Sequence, residues 1–304
     1  MLNQHQNPTI DPIKLEVNPN NITVDMLRID KVHEYVSGNK WYKLKYNLLK
    51  AKEEGQTTLL TFGGAFSNHI HATAVAAKEA GFKSIGIIRG EETQPLNPTL
   101  RLASFMGMEI HYVTRELYKT KNEPGFIKGL EEKFGQFYLV PEGGTNQVAI
   151  RGAEEILTEN LVSSYDYIIS AVGTGGTLTG LISKANDNAE VIGISSLKGN
   201  FLTTEVKNWL PLIKKNYLTN WHISNNYHFG GYAKHTRELI AFINNFKIEN
   251  GIPLDPIYTG KMMYGIMDMA ANRKFKENSK VLAIHTGGLQ GIEGFNKRFG
   301  KLIV

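Results

Sequence analysis

Lys40 lies in the run Ser37-Gly38-Asn39-Lys40-Trp41-Tyr42-Lys43-Leu44, just past a glycine turn and at the mouth of an amphipathic helical pattern. Against apolar neighbours such as Trp41 and Leu44, an amine loses charge by desolvation and becomes a nucleophile able to form a Schiff base with a carbonyl. The plainer reading is a helix-start cation beside Lys43 and Lys45, because buried lysines are uncommon. A second feature has to separate the two.

That feature is the segment from Ala171 to Gly180. Residues 166–172 form an apolar, β-branched run, the pattern of a strand buried on both faces. The run passes into Gly173-Thr174-Gly175-Gly176-Thr177 and then into a helical pattern. Strand, glycines and helix start together make an anion site: glycines let backbone N–H groups converge, threonine hydroxyls add donors, and the helix dipole favours negative charge. We read it as a phosphate cup. The dinucleotide pattern would need glycine at Leu178, and the P-loop would need Gly-Lys-Ser/Thr, so a nucleotide is disfavoured. A tight strand-to-helix turn with no ligand is the other reading.

A third site-like loop is Gly63-Gly64-Ala65-Phe66-Ser67-Asn68-His69, at the start of an alanine-rich helix. Free N–H groups there can hold a carboxylate or phenolate oxygen, although Ser67 or Asn68 as a simple N-cap is the commoner use. Other constellations are weaker. His69 and His71 fall on different helix faces, and His222, His228 and His235 lack ligand spacing, so no metal site is expected. Hydrolase chemistry is set aside for want of a G-x-S-x-G elbow.

The elements that must position these loops alternate. Strands are expected at 57–62, 84–88, 109–113 and 137–140, with helices at 67–80, 96–106 and 124–134 between them. A second set follows: a helix at 147–161, strand 166–172, helix 176–186, strand 190–195, helices at 203–210, 233–249 and 261–273, and a closing strand at 280–285. Such alternation predicts an α/β protein of two domains, each an open, twisted, mostly parallel sheet with helices on both faces. The Pro141–Asn146 glycine turn is the expected crossing, with the loops after residues 62 and 172 facing a shared ligand.

Composition agrees with an enzyme core. The 304 residues are 41% hydrophobic and contain no cysteine, which removes disulfide and thiolate chemistry. The polar stretch from Met1 to Pro12 has no apolar core, and no apolar run approaches the roughly 20 residues of a bilayer span. A cytoplasmic protein is expected. The net charge of +5 is spread along the chain, and the clusters at Lys214-Lys215 and Lys297-Arg298-Lys301 carry no nucleic-acid motif, so neither nucleic acid nor membrane is an expected partner.

Taken in order, Ser37-Gly-Asn-Lys40, Gly63-Gly64-x-x-Ser67-Asn68-His69, Gly173–Thr177 and Leu254-Asp-Pro-Ile-Tyr-Thr-Gly-Lys261 resemble the pyridoxal-phosphate enzymes of fold type II, the tryptophan synthase beta-like fold. The closest resemblance is to the 1-aminocyclopropane-1-carboxylate deaminase / D-cysteine desulfhydrase family, from about Met26 to the C-terminus.

The resemblance implies pyridoxal 5'-phosphate bonded to Lys40, with Asn68 on its phenolic oxygen, Gly173, Thr174, Gly175, Gly176 and Thr177 on its phosphate, and Thr259 at the ring nitrogen. It further implies that Ser67, Asn68 and His69 line the substrate carboxylate pocket, that Tyr258 and Tyr232 are active-site tyrosines, and that the chain is a homodimer. Residues 1–45 with 147–304 would form the large cofactor-binding domain, and 46–146 the small one. Phe66, where relatives often carry glutamine, and Trp41-Tyr42 depart from the family pattern and bear on which amino acid, of which chirality, is taken.

Family deaminases carry glutamate after the tyrosine, where this chain has Thr259, the residue of the desulfhydrase branch. A carboxylate keeps a pyridine nitrogen protonated and the ring a strong electron sink, whereas a hydroxyl leaves a weaker one that suffices when a good β-group departs. The expected reaction is therefore β-elimination and deamination of a small amino acid, D-cysteine going to pyruvate, sulfide and ammonia. The alternatives are 1-aminocyclopropane-1-carboxylate deamination to 2-oxobutanoate and ammonia, another β-eliminase or a deaminase of hydroxy-amino acids, and a non-catalytic cofactor-binding or ligand-binding protein.

Overall fold

The computed structural model describes residues 6–92, 94–214, 217 and 219–304. Along the chain run β1 (Thr9–Ile13), β2 (Thr23–Arg28), α1 (Asn39–Glu53), β3 (Thr58–Gly64), α2 (Asn68–Ala80), β4 (Lys83–Arg89), α3 (Pro98–Phe105) and β5 (Met108–Val113). Next come α4 (Arg115–Lys119), α5 (Pro124–Phe134), β6 (Tyr138–Val140), α6 (Gln147–Glu154), α7 (Glu159–Ser164), β7 (Tyr167–Val172), α8 (Gly176–Lys184) and β8 (Glu190–Ser195). The remainder is α9 (Phe201–Ile213), β9 (Trp221–Ser224), α10 (Arg237–Asn250), α11 (Thr259–Ala271), β10 (Lys280–Ile284) and α12 (Gly291–Phe299).

The strands form two sheets, one ordered β1-β2-β10-β7-β8-β9 and the other β5-β4-β3-β6. Every pairing is parallel except β1 with β2. The continuous apolar runs have a direct cause. In β7, Ile168 and Val172 pack with α1, α8 and α9, while Ile169 and Ala171 face the side of α10 and α11. Alternate side chains point to opposite faces, so a strand covered on both sides must be apolar throughout. In the second sheet Leu60, Phe62, Ile85 and Ile87 pack against α5 through Leu130, whereas Ile88 and Met108 meet residues of α2 and α3.

Several expectations change. The helix expected over 147–161 is two helices, because Thr158 caps α7 by accepting from the Leu161 N–H and so restarts the helix. β1, β2, β9, α4 and α12 are additions to the expected elements, and β10 does not close the series. β1 contains Asp11 and Pro12 and pairs only at the sheet edge, so it carries no buried apolar signal. Residues 1–5 of the polar N-terminal stretch and Lys215 of the basic cluster lie outside the described residues. Among the described residues no helix is long and apolar enough to cross a membrane, and no group of three or more His, Asp or Glu side chains is placed to hold a metal.

Candidate active site

β10 lies parallel beside both β2 and β7, so its C-terminal loop and the Gly173–Thr177 turn open at the same edge of the sheet. The Ser37–Lys40 turn is fixed to that edge. Gly38 N–H donates to Ile29 O, Asn39 N–H to Thr286 O, and the Ser37 hydroxyl to Asp30 O. Gly38 has φ +66°, and a Cβ on it would lie 2.0 Å from Thr286 O, so only glycine fits. Asp30 is itself held by Arg28, whose Nε and Nη2 donate to its two carboxylate oxygens at 2.9 and 2.7 Å.

From this turn α1 begins with Asn39, whose Nδ2 donates to Thr177 Oγ1 at 2.8 Å. The residue before Lys40 thus touches the glycine cup. Ser37, Asn39, Lys40, Asn68, Thr286 and Gly288 line one recess. Lys40 is half-buried there, and loss of solvent lowers its amine from 10.5 to about 8. Three residues on, Lys43 is fully buried, donating to Gly143 O at 2.6 Å and Thr145 Oγ1 at 2.8 Å. Burial first, and the charge of Lys40 second, push its amine well below the ordinary lysine value.

The cup itself is open at its helix end. Gly175 is left-handed at the N-cap of α8, and no side chain caps that helix. A Cβ on Gly176 would come within 2.8 Å of Thr145 Oγ1 and 3.3 Å of Lys43 Nζ. Thr174 Oγ1 lies 2.7 Å from Thr145 Oγ1. The Pro141–Asn146 turn, read from sequence only as a crossing between sheets, therefore forms one wall of the cup. Sequence reasoning named Lys43 only as a cation flanking Lys40 and gave it no role in the site. The signal available was its position three residues after Lys40, which puts both on one helical face.

Ser67 caps α2, its hydroxyl accepting from the His69 and Ile70 N–H groups. Asn68 faces the recess: at Gly288 a Cβ would meet Asn68 Nδ2 at 3.0 Å and Asp255 Oδ1 at 3.1 Å. His69 is buried with Nε2 2.7 Å from Thr61 Oγ1 and its Cε1 3.0 Å from where a Cβ on Gly144 would stand. Burial, then Lys40 and Lys43, hold that imidazole far below its usual range and hence neutral.

On the opposite wall, Tyr258 Cε1 would be 3.0 Å from a Cβ on Gly173, and its ring meets Tyr232 edge-on with centroids 6.3 Å apart. Burial raises both phenols, Tyr258 far more. Thr259 is fully buried, its hydroxyl donating to Asp255 Oδ1 at 2.8 Å and accepting from Asp255 N–H at 2.9 Å. Asp255 also accepts from the N–H groups of Ile257, Tyr258 and Thr259, which makes it the anchor of the α11 start. Sequence reasoning missed Asp255, although it stands inside the Leu254–Lys261 motif.

Residues 30–287 match the family described as Pyridoxal-phosphate dependent enzyme. A Pyrococcus abyssi protein named "Putative 1-aminocyclopropane-1-carboxylate deaminase" is 36% identical, over 88% of this chain and 85% of its own length. The mitochondrial "Bifunctional D-cysteine desulfhydrase/1-aminocyclopropane-1-carboxylate deaminase" of Arabidopsis thaliana is 29% identical over 90% of this chain and 74% of its own. A crystal structure described as that of an "ACC deaminase homologue" superposes with a TM-score of 0.82 at 29% identity, covering 98% of this chain and 94% of the other.

Proposed function

Because the chain belongs to the pyridoxal-phosphate dependent enzymes, we propose that it carries out β-elimination and deamination of a small amino acid, with D-cysteine going to pyruvate, sulfide and ammonia. The residues present fit the cofactor. The uncapped α8 start, the room left by Gly176 and the buried Lys43 amine suit a phosphate, and the depressed amine of Lys40 suits bonding to an aldehyde. Lys40, Asn68, Gly173–Thr177, Lys43 and Thr259 would hold it. Bound there, it supplies an electron sink for the carbanion left when an α-proton departs.

The chain's own groups then divide the work. Lys40, with its amine near 8, takes the α-proton at Nζ, since an appreciable neutral fraction exists near neutral pH. Tyr258 and Tyr232, both raised above the ordinary phenol value, keep their protons and act as donors. The Ser67 hydroxyl, whose oxygen caps α2 while its proton is left to donate, receives the substrate carboxylate with the Asn68 N–H, and neutral His69 supports them without adding charge.

Thr259 carries the choice of D-cysteine. A hydroxyl engaged with Asp255 favours a weaker electron sink and a reaction with a good leaving group. A second reading, 1-aminocyclopropane-1-carboxylate going to 2-oxobutanoate and ammonia, has at least equal support from the names of the relatives. The proposal includes a homodimer in the cytoplasm. It also divides the chain into 1–45 with 147–304 and an inserted 46–146, supported by the second sheet lying wholly within residues 58–140.

The test is a product assay on both compounds with the reconstituted enzyme. Pyruvate and sulfide from D-cysteine support the first reading; 2-oxobutanoate without sulfide selects the second. Lys40→Ala is expected to lose turnover together with the visible absorbance of bound coenzyme, and retained turnover would sink both.

A further inference from the structure

Tyr232 stands on an unusual piece of backbone. Phe229, Gly230, Gly231 and Ala233 all have positive φ, at +50°, +93°, +114° and +54°, a conformation that costs free energy for the two residues with side chains. Tyr232 itself is 44% exposed, so core packing does not hold its ring in place. Something else must hold this loop.

Lys261 does so from below. It is fully buried in α11, and its Nζ donates to His228 O at 2.9 Å and to Gly231 O at 2.8 Å, one carbonyl just before the strained segment and one within it. The same two carbonyls accept from the Gly231 and Lys234 N–H groups, so the ammonium closes two turns at once. Tyr258 is the residue just before α11, and Lys261 lies in that helix's first turn. The start of α11 thus carries one phenol and fixes the loop that carries the other.

We infer that Lys261 is a positioning residue that clamps the 228–234 loop and thereby sets Tyr232 against Tyr258. The inference rests on the proposed role of Tyr232 in proton donation. A charged amine suits this place in two ways. The attraction of Asp255 opposes the burial that draws the Lys261 amine down to about 8, and an ammonium offers donors to both carbonyls where a neutral apolar side chain offers none.

The experiment compares Lys261→Met, Tyr232→Phe and the double variant in the reconstituted enzyme, with D-cysteine or, if that is the compound consumed, 1-aminocyclopropane-1-carboxylate. Hydrogen exchange is followed over 228–234. Lys261→Met is expected to lower kcat at least tenfold with a smaller change in KM, and to speed exchange at Gly231 and Lys234 at least tenfold while β7 and β10 stay protected. Adding Tyr232→Phe should then lower kcat no further. Native exchange in the loop, or losses that multiply in the double variant, overturn the inference.

If Lys261→Met does not fold, Lys261→Gln, which keeps uncharged N–H donors on a shorter side chain, takes its place; if neither folds, the lysine serves the whole fold and the inference falls. Full turnover by Tyr232→Phe would remove the role given to that phenol and overturn the catalytic half of the inference, while faster loop exchange in Lys261→Met would still support the clamp.

Discussion

The hydroxyl of Thr259 donates a hydrogen bond to Asp255 Oδ1 and accepts one from Asp255 N–H, so a single side chain is bonded twice to the residue four positions before it. Both residues are buried, and no water replaces what is lost if the hydroxyl goes. Thr259→Val should lower stability by about 1–3 kcal/mol, the cost of leaving buried polar groups without partners. Urea unfolding of the apoprotein measures it, and an unchanged midpoint would show that the pair contributes nothing.

Lys40 makes coenzyme uptake pH-dependent. Its amine is lowered from 10.5 to about 8 by burial, and only the neutral form attacks an aldehyde. The rate of bonding to the apoprotein should therefore rise with pH, about tenfold per unit below 8, and level off above it. Between about 8 and 10.5 the unfolded chain keeps this proton while the folded chain does not, so the penalty on apoprotein stability lifts across that window. Absorbance kinetics from pH 6.5 to 9.5 read the midpoint; a rate still climbing tenfold per unit at 9.5 refutes the shift.

Lys43→Met removes a buried donor shared by Gly143 O, Thr145 Oγ1 and the cup. A hydrogen bond to the charged phosphate contributes about 1.5–3 kcal/mol, so coenzyme affinity should fall roughly ten- to a hundredfold. Titration of the apoprotein with pyridoxal 5'-phosphate checks this, with inorganic phosphate as competitor to show that the loss lies at the phosphate end.

Gly38→Ala forces a side chain onto a backbone at φ +66° and onto Thr286 O. Strain and overlap together should cost roughly 3 kcal/mol or more and displace the Lys40 turn. Thermal unfolding measures the first effect, and loss of coenzyme absorbance in the folded fraction the second.

Much of this molecule is written locally. The strands at β3, β4, β7, β8 and β10 are legible because parallel strands covered on both faces need unbroken apolar runs. The helix starts after Gly38, Ser67 and Gly175 are legible from their turn residues. The short β9 and the edge strand β1 are not, since four or five half-exposed residues carry no periodicity that separates strand from loop.

By itself the chain determined its class, its glycine turns and the order of motifs that marks a pyridoxal-phosphate enzyme, because propensity, periodicity and turn chemistry act over a few residues. Only the tertiary structure decided that Asn39 meets Thr177, that Lys43 is buried beside the turn that begins at residue 141, and that Lys261 holds the loop of Tyr232. The first of those contacts depends on β10 inserting between β2 and β7, which sets the start of α1 and the Gly173–Thr177 turn at one end of the sheet. Strand order is chosen by the total burial of all the layers at once, and no short stretch of residues contains that sum.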